Sequence, residues 1–474
     1  MNQDMDRNSS KSIKSGHLRP NNKAENATSF DVTVAGAMNE RKLLRKIDLR
    51  VLPTITVIYV LAFLDRVNIG NALLYGLPKD LHLQGTQLNI ALSVFFVTYC
   101  IFEIPANVLM KKLSPQTFLS ASVFLCGLLA ISQGFVNDFR GLVTVRVLLG
   151  IAEAGIFPGC FYLIGMWYKP SEAQRRFSLF FNAGSFAGAF GGLLASAIGK
   201  MEGVRGYHAW RWVFMLEGLL SCILSIAAFF LIANFPEHAN WLSEDERAFV
   251  VARLAADEGS SGVDERISWQ GILETFKDWK MIPGALMYFG PTVSTYGLAY
   301  FIPSIVATYG HKPIEAQLYS VIPWAAAMVF GMSMAFASDG FQNRSAFIVF
   351  GLCIAISGNL TLSKVHKNRK AEFAGLILYT MGVIGILPIL LCWFSMNLKS
   401  HRRRLVGTAW QLGFGNIAGI VAPFAFQSKD APRYHLGYSL GLGCLCLAGA
   451  ASLTYFMGCF AQNKQRTHGH KLIL

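Results

Sequence analysis

Six ionisable side chains lie inside otherwise apolar stretches of this sequence: Asp65, Arg66, Glu103, Arg146, Glu153 and Glu217. A charge in hydrocarbon is costly unless it is paired, hydrated or turned to a cavity, so each is a candidate site. Arg146 and Glu153 are seven positions apart, which on a helix puts them on one face roughly 10 Å apart along the axis. Burial and a nearby arginine act in opposite senses on a carboxylate, so its protonation follows whether an anion has taken that arginine. This is the chemistry of coupled binding: an organic anion on Arg146, a proton on Glu153 or Asp65. The competing reading is that the charges only pair with one another and hold helices together. Asp65 and Arg66 point about 100° apart on a helix, so one of them faces a partner helix, and Glu217 lies close enough to Arg211 for a simple structural pair.

The second half of the chain offers polar and aromatic groups instead: Tyr296 and Tyr300, Trp393 and Asn397, Gln411 and Asn416. The first two pairs are each four apart and share a helix face. Aromatics beside a few amides suit a small planar or carboxylated ligand, although the same residues also serve as interface belts or packing. No metal is expected: the nine cysteines fall mainly in apolar stretches and no Cys/His spacing fits a tetrahedral site. No cofactor is expected, and no nucleophile stands with an oriented base, so the chain does not read as an enzyme.

The elements that carry these groups are membrane spans. With 53% hydrophobic and 15% charged residues over 474 positions, the sequence cannot clothe a soluble core, since such domains carry about 25% charged residues. The net charge of +14 is scattered in short segments between apolar runs, which excludes a nucleic-acid partner. Runs of about 20 apolar residues, long enough for a roughly 30 Å hydrocarbon core, fall near 51–74, 88–110, 116–136, 142–168, 176–199, 210–233, 283–309, 316–338, 345–363, 373–398, 405–427 and 436–461. The expected architecture is therefore all-α and integral to a lipid bilayer. A tail and amphipathic basic segment (1–50) precede a six-helix bundle (51–233), a linker (234–282), a second bundle (283–461) and a short tail (462–474). Residues 1–38 read as disordered and Glu40 to Arg50 as a helix on an anionic membrane surface. Lysines and arginines concentrate on the side of both termini, which places those in the cytosol. In the linker, Ser243 and Glu246 have capping-box spacing for a helix to about Asp257.

Two hairpins superpose as an internal repeat. Asn107 is followed by Lys111 and Lys112, and Asp339 at the same offsets by Asn343 and Arg344. This resembles the loop signature of the major facilitator superfamily, in which an acid and a basic pair lock the cytosolic side. The first copy departs from it, with Asn107 in place of the acid and Glu103 where a glycine is usual, so the expected gate is Glu103, Asn107, Lys111, Lys112, Asp339 and Arg344. Gly184, Gly188, Gly191 and Gly192 in the fifth span match Gly413, Gly415, Gly419 and Pro423 in the eleventh, which predicts close, sliding contacts between bundles.

Further clusters sharpen the resemblance. Arg146 through Gly150, Glu153, Gly155 and Pro158-Gly159, with Asp65-Arg66-Val67-Asn68-Ile69-Gly70, Glu103-Ile104-Pro105, Trp210-Arg211-Trp212 with Glu217-Gly218, Trp393 with Asn397, and Gly415-Asn416, are similar to the anion:cation symporter family of that superfamily, and in particular to fungal allantoate and nicotinate permeases. The resemblance runs from about residue 45 to 460. It implies twelve helices, alternating access around a central cavity, and proton-coupled import of a small organic anion across the plasma membrane by a monomer. Two alternatives stand beside it: export of a secondary metabolite with the same fold, and a non-transporting nutrient receptor.

Overall fold

The computed structural model describes residues 40–259, 269–341, 343–366, 368–398, 401–427, 430–465 and 472–473. The expected disorder of residues 1–38 lies outside them. The described residues form helices and connecting turns, with no strand among them. The long helices are span 1 (Glu40–Leu74), span 2 (Gln87–Leu113), span 3 (Pro115–Gln133), span 4 in two pieces (Phe139–Glu153 and Ile156–Trp167), span 5 (Pro170–Ile198) and span 6 (Ala209–Leu231). After linker helices Glu244–Gly259 and Trp269–Phe276 come span 7 (Met281–Ala307), span 8 (Pro313–Phe341), span 9 (Arg344–Lys364), span 10 (Arg369–Met396), span 11 (His401–Ala425) and span 12 (His435–Gln465).

Eleven of these helices are long and apolar enough to cross a membrane, span 7 being the exception. The reason is position. Thr292, Ser294, Thr295, Tyr296 and Tyr300 of span 7 are all buried, so the helix meets other helices rather than lipid and is free to carry polar groups.

Packing repeats between the halves. Spans 1 and 5, 1 and 6, 2 and 4, 3 and 4, and 3 and 6 pack together in the first bundle. Spans 7 and 11, 7 and 12, 8 and 10, 9 and 10, and 9 and 12 do so in the second. Between the bundles, span 5 lies on span 8, span 11 on span 2, and span 1 on span 7, the pattern of two copies related by a pseudo-twofold axis. Of the glycine stripes, Gly188, Gly192 and Gly419 sit at these seams, whereas Gly184 and Gly191 face span 1 and Gly415 faces span 7 within their own bundles. A Cβ at Gly188 would stand 2.4 Å from the Trp324 ring of span 8, and one at Gly419 would stand 2.4 Å from the Phe96 ring of span 2.

Two expectations change. The basic segment before span 1 is the first part of the same helix, continuous from Glu40 to Leu74 through Pro53. Leu43, Ile47, Val51 and Ile55, each four apart, form one buried stripe, so the segment packs on protein rather than lying on a membrane surface. Span 4 breaks between Glu153 and Ile156: Pro158 has no N–H for the carbonyl four residues back at Ala154, and its ring crowds that carbonyl.

The capping box forms as the spacing predicts, with Ser243 N donating to Glu246 Oε2 at 3.0 Å and Glu246 N to Ser243 Oγ at 3.2 Å. Its helix is strapped to the first bundle. Arg253, almost fully buried, pairs with Glu40 at 2.8 Å and with Glu172, while Lys46 pairs with Glu246 at 2.6 Å. Arg253→Ala is expected to weaken this docking by about 1–2 kcal/mol, since Glu40 and Glu172 regain water when freed. Limited proteolysis of the linker, several times faster than in wild type, is the readout. The Lys46 hydrogen bond, working against desolvation, holds the Glu246 carboxyl below its usual range. Its contribution is present above the unfolded carboxylate range and fades as pH falls through the lowered value, and the exposure of Lys46 keeps it small.

Candidate functional site

Spans 1, 4, 7 and 11 bring their polar residues to one place. Residues 58–72 of span 1 are buried on every side, which keeps Asp65, Arg66 and Asn68 from lipid. Arg66 Nε donates to Glu153 Oε1 at 2.9 Å and its Nη2 reaches the same oxygen. Its Nη1 donates to the Tyr296 hydroxyl at 3.2 Å. Tyr296 donates in turn to Asn416 Oδ1 at 3.1 Å, and Asn416 Nδ2 to Glu103 Oε2 at 3.4 Å. A single chain of hydrogen bonds therefore crosses from the first bundle into the second and back.

Span 2 supplies the wall. Phe95, Phe96 and Tyr99 stand 5.4, 5.8 and 5.0 Å from the Arg66 guanidinium carbon, within cation–π range. Phe95, Tyr99 and Glu103 are four apart in sequence and follow one helix face, so the spacing around Glu103 already held the signal for this wall. A cavity opens against Arg66, lined also by Tyr59, Tyr288, Tyr296, Trp324 and Asn416. Among the described residues lining it, Arg66 is the one that carries a charge.

The other expected site residues are distributed differently. Arg146 is fully buried and absent from the cavity wall; its Nη1 donates to the Arg66 carbonyl at 3.4 Å, while Nε and Nη2 have no partner. Glu153 thus pairs with Arg66 rather than with Arg146. Asp65 faces span 6, where Ser221 Oγ donates to its Oδ2 at 3.2 Å. Glu217 is not paired with Arg211: Arg211 goes to Asp80 at 3.1 Å, and Glu217 lies beside the Asn68 amide of span 1. Tyr300 is buried with its hydroxyl unpartnered.

Trp393, Asn397 and Gln411 lie apart from the cavity. The Trp393 indole and the Asn397 amide both donate to the Ile473 carbonyl, at 2.9 and 3.0 Å, and Ile473 N donates back to Asn397 Oδ1 at 2.8 Å. They hold the end of the chain. Gln411 Nε2 donates to the Gly284 carbonyl at 2.9 Å, inside the second bundle. Of the expected gate, Asp339 and Arg344 pair at 2.8 Å, Asn107 donates to the Glu103 carbonyl of its own helix at 2.9 Å, Lys112 is exposed, and the side chain of Lys111 lies outside the described residues. Glu103 does not join that lock, since it turns inward to Asn416.

The bundles meet at the end opposite the termini. Asn89 donates to the Pro423 carbonyl, Ser93 to Ile420 O at 2.9 Å, and Gln317 to Asn71 O at 3.2 Å. Gly70 belongs to this closure: a Cβ there would lie 2.6 Å from the Tyr300 carbonyl oxygen on span 7. Backbone cannot yield as a side chain tip does, so Gly70→Val is expected to prop this end open. An impermeant thiol reagent added from that side should label Thr295→Cys, in the cavity wall, several times faster in the Gly70→Val background.

Residues 55–423 match the Major Facilitator Superfamily. The chain is 34% identical over 403 residues to an uncharacterized transporter, C1002.16c, of Schizosaccharomyces pombe, spanning 84% of this chain and 80% of the relative. It is 33% identical to the MFS transporter prlL of a fungal species, spanning 87% and 85%, and 30% identical to the MFS-type transporter cnsO of Penicillium expansum, spanning 91% and 86%. Among solved structures it is similar to a bacterial homologue of the human lysosomal transporter Spinster in its inward-facing, unoccupied conformation, with a TM-score of 0.66 at 16% identity over 88% of this chain and 98% of the other. At that identity the likeness speaks for the fold alone.

Proposed function

Because this chain belongs to the major facilitator superfamily, we propose that it is a secondary active transporter that carries a small organic anion together with a proton. The observation that supports this most is Arg66, the charged side chain on the cavity wall, bonded to Glu153 behind it. An entering carboxylate competes with Glu153 for the guanidinium. A proton arriving on Glu153 releases Arg66 and leaves the site one unit more positive, which the entering anion neutralises, so anion and proton bind best together. Tyrosines, Trp324, Thr292, Thr295 and Asn416 around the cavity suit a flat ligand with one anionic group. The sequence resemblance to the anion:cation symporters favours the same class, with carboxylates of the nicotinate or allantoate kind as first candidates, import across the plasma membrane, and cytosolic termini.

The test is uptake of labelled nicotinate, allantoate and other small carboxylates at external pH 5 and pH 7, in cells lacking their own permeases and with surface expression checked. Acid-stimulated uptake is the expected result. No uptake at either pH from protein at the surface overturns import; measuring efflux from preloaded vesicles then decides between export and a receptor that moves nothing.

A further inference from the structure

Toward the end opposite the termini, the first bundle contains a second polar compartment behind the cavity wall. Asp65 and Asn68 are three apart on span 1, and Glu217 and Ser221 are four apart on span 6, so each pair shares a helix face. The two spans pack together, and the Ser221 to Asp65 hydrogen bond shows that these faces meet. All four side chains are fully buried, at 2, 0, 1 and 1% exposure for Asp65, Asn68, Glu217 and Ser221. Asp65 Oδ1 has no hydrogen-bond partner, and the Asn68 amide lies beside the Glu217 carboxyl without a well-formed hydrogen bond between them. None of the four residues lines the cavity.

A buried polar atom without a partner is expensive, and a buried unpaired carboxylate more so. The charges do not balance among the neighbours. Glu153 is matched by Arg66, which leaves Asp65 and Glu217 against the single guanidinium of Arg146. With both carboxylates ionised one positive charge is missing, a deficit that a bound cation or a proton would close. The groups gathered here are mostly hard oxygen acceptors: two carboxylates, an amide carbonyl and the Ser221 hydroxyl, which donates to Asp65 and can still accept. Such a set repels an anion and suits a hard cation. Soft or divalent transition metals want imidazole or thiolate, and no metal-holding cluster of three or more His, Cys, Asp or Glu occurs among the described residues. A proton would engage one oxygen and leave the others unfilled, whereas an alkali cation accepts several oxygens at once.

We propose that Asp65, Glu217, Asn68 Oδ1 and Ser221 Oγ form a binding site for one monovalent alkali cation, Na⁺ by charge and ligand hardness. The site is separate from the anion cavity but tied to it, since Asp65 precedes Arg66 in the chain and Arg146 bonds the Arg66 carbonyl. A cation between spans 1 and 6 would steady the stretch of span 1 that aims Arg66.

The test uses purified full-length protein in lipid nanodiscs, with choline chloride replaced stepwise by NaCl or KCl at constant ionic strength. Saturable binding of radioactive Na⁺ and a rise in Tm with Na⁺ but not choline are expected. Both effects should be lost in Glu217→Gln and weakened in Ser221→Ala, the second being a small change chosen in case the first misfolds. Absence of saturable Na⁺ binding to the wild type, or binding unchanged in both variants, overturns the proposal. A Tm that responds to acid and not to Na⁺ also overturns it and assigns the compartment to a proton. Because binding is read without transport, failure here leaves the anion–proton reading standing, and failed uptake leaves this site standing.

Discussion

Arg66→Gln is expected to abolish uptake at both acidic and neutral pH while the protein still reaches the surface in reduced amount. Two effects combine. The bound anion loses its charged partner, and truncating one member of a buried charge pair costs about 2–5 kcal/mol, or roughly 30- to 5,000-fold in affinity. The empty protein also suffers, because Glu153, at 1% exposure, is left without the guanidinium that faces it and must take up a proton or remain an uncompensated buried charge. These effects separate in the double variant Arg66→Gln/Glu153→Gln, which removes both charges at once: thermal stability and surface expression should recover, and uptake should not. Arg66→Lys keeps the charge but not the fork, since one ammonium cannot reproduce three donors aimed at Glu153 and Tyr296. Weak residual uptake is expected from it. Wild-type uptake by Arg66→Gln would remove the cavity arginine from the mechanism, and Arg146 would be the next to test.

Much of the architecture was legible because membrane spans obey a strong local rule: about 20 apolar residues, read one segment at a time. The linker helix was legible for a similar reason, its capping box involving residues three apart. The charged residues were also legible as a set, since any ionisable group within a span announces itself. Their pairing was not. Whether Glu153 meets Arg146 on its own helix or Arg66 on span 1 depends on how the spans pack, and seven-residue spacing says nothing about a neighbouring helix. Pro158 was the local sign that the helix would not run straight. Trp393 and Asn397 misled for another reason: a tryptophan and an asparagine sharing a face suit a ligand or a strand of peptide equally, and here the peptide is the end of the same chain.

The symmetry of the packing limits how the halves can move. Spans 5 and 8 meet as spans 11 and 2 do, and at each seam a glycine lies against a large aromatic ring, Gly188 on Trp324 and Gly419 on Phe96. Such contacts slide at little cost because there is no side chain to ratchet past. The hydrogen bonds that join the bundles at the end away from the termini use backbone carbonyls as acceptors, at Asn71, Ile420 and Pro423. Water can replace a donor to a carbonyl when a seam opens, so this closure is reversible. The chain from Arg66 through Tyr296 and Asn416 to Glu103 is a set of contacts along the seam that depends on charge, and its first three members line the cavity. An anion that takes Arg66 from Tyr296 therefore acts on the same bonds that hold the bundles together.

Glu153→Gln separates coupling from binding. The amide has the shape of the protonated carboxyl and no charge, so Arg66 is permanently available to an anion. Exchange of labelled for unlabelled anion should persist, with apparent affinity at neutral pH equal to or better than wild type. What should vanish is the response to a proton gradient. Each pH unit is worth about 1.4 kcal/mol per proton, so one coupled proton and a two-unit gradient support roughly hundredfold accumulation by the wild type and none by the variant. The sign follows from the mechanism: lowering external pH protonates Glu153 where the anion enters and favours import, while the variant behaves at every pH as the protonated form. Exchange without acid stimulation is therefore the expected pattern, read in the same cells by counterflow and by net uptake. Acid stimulation that survives in Glu153→Gln would show that the proton travels on another group, and Asp65, one residue from Arg66 and facing span 6, would then be the carboxylate to replace.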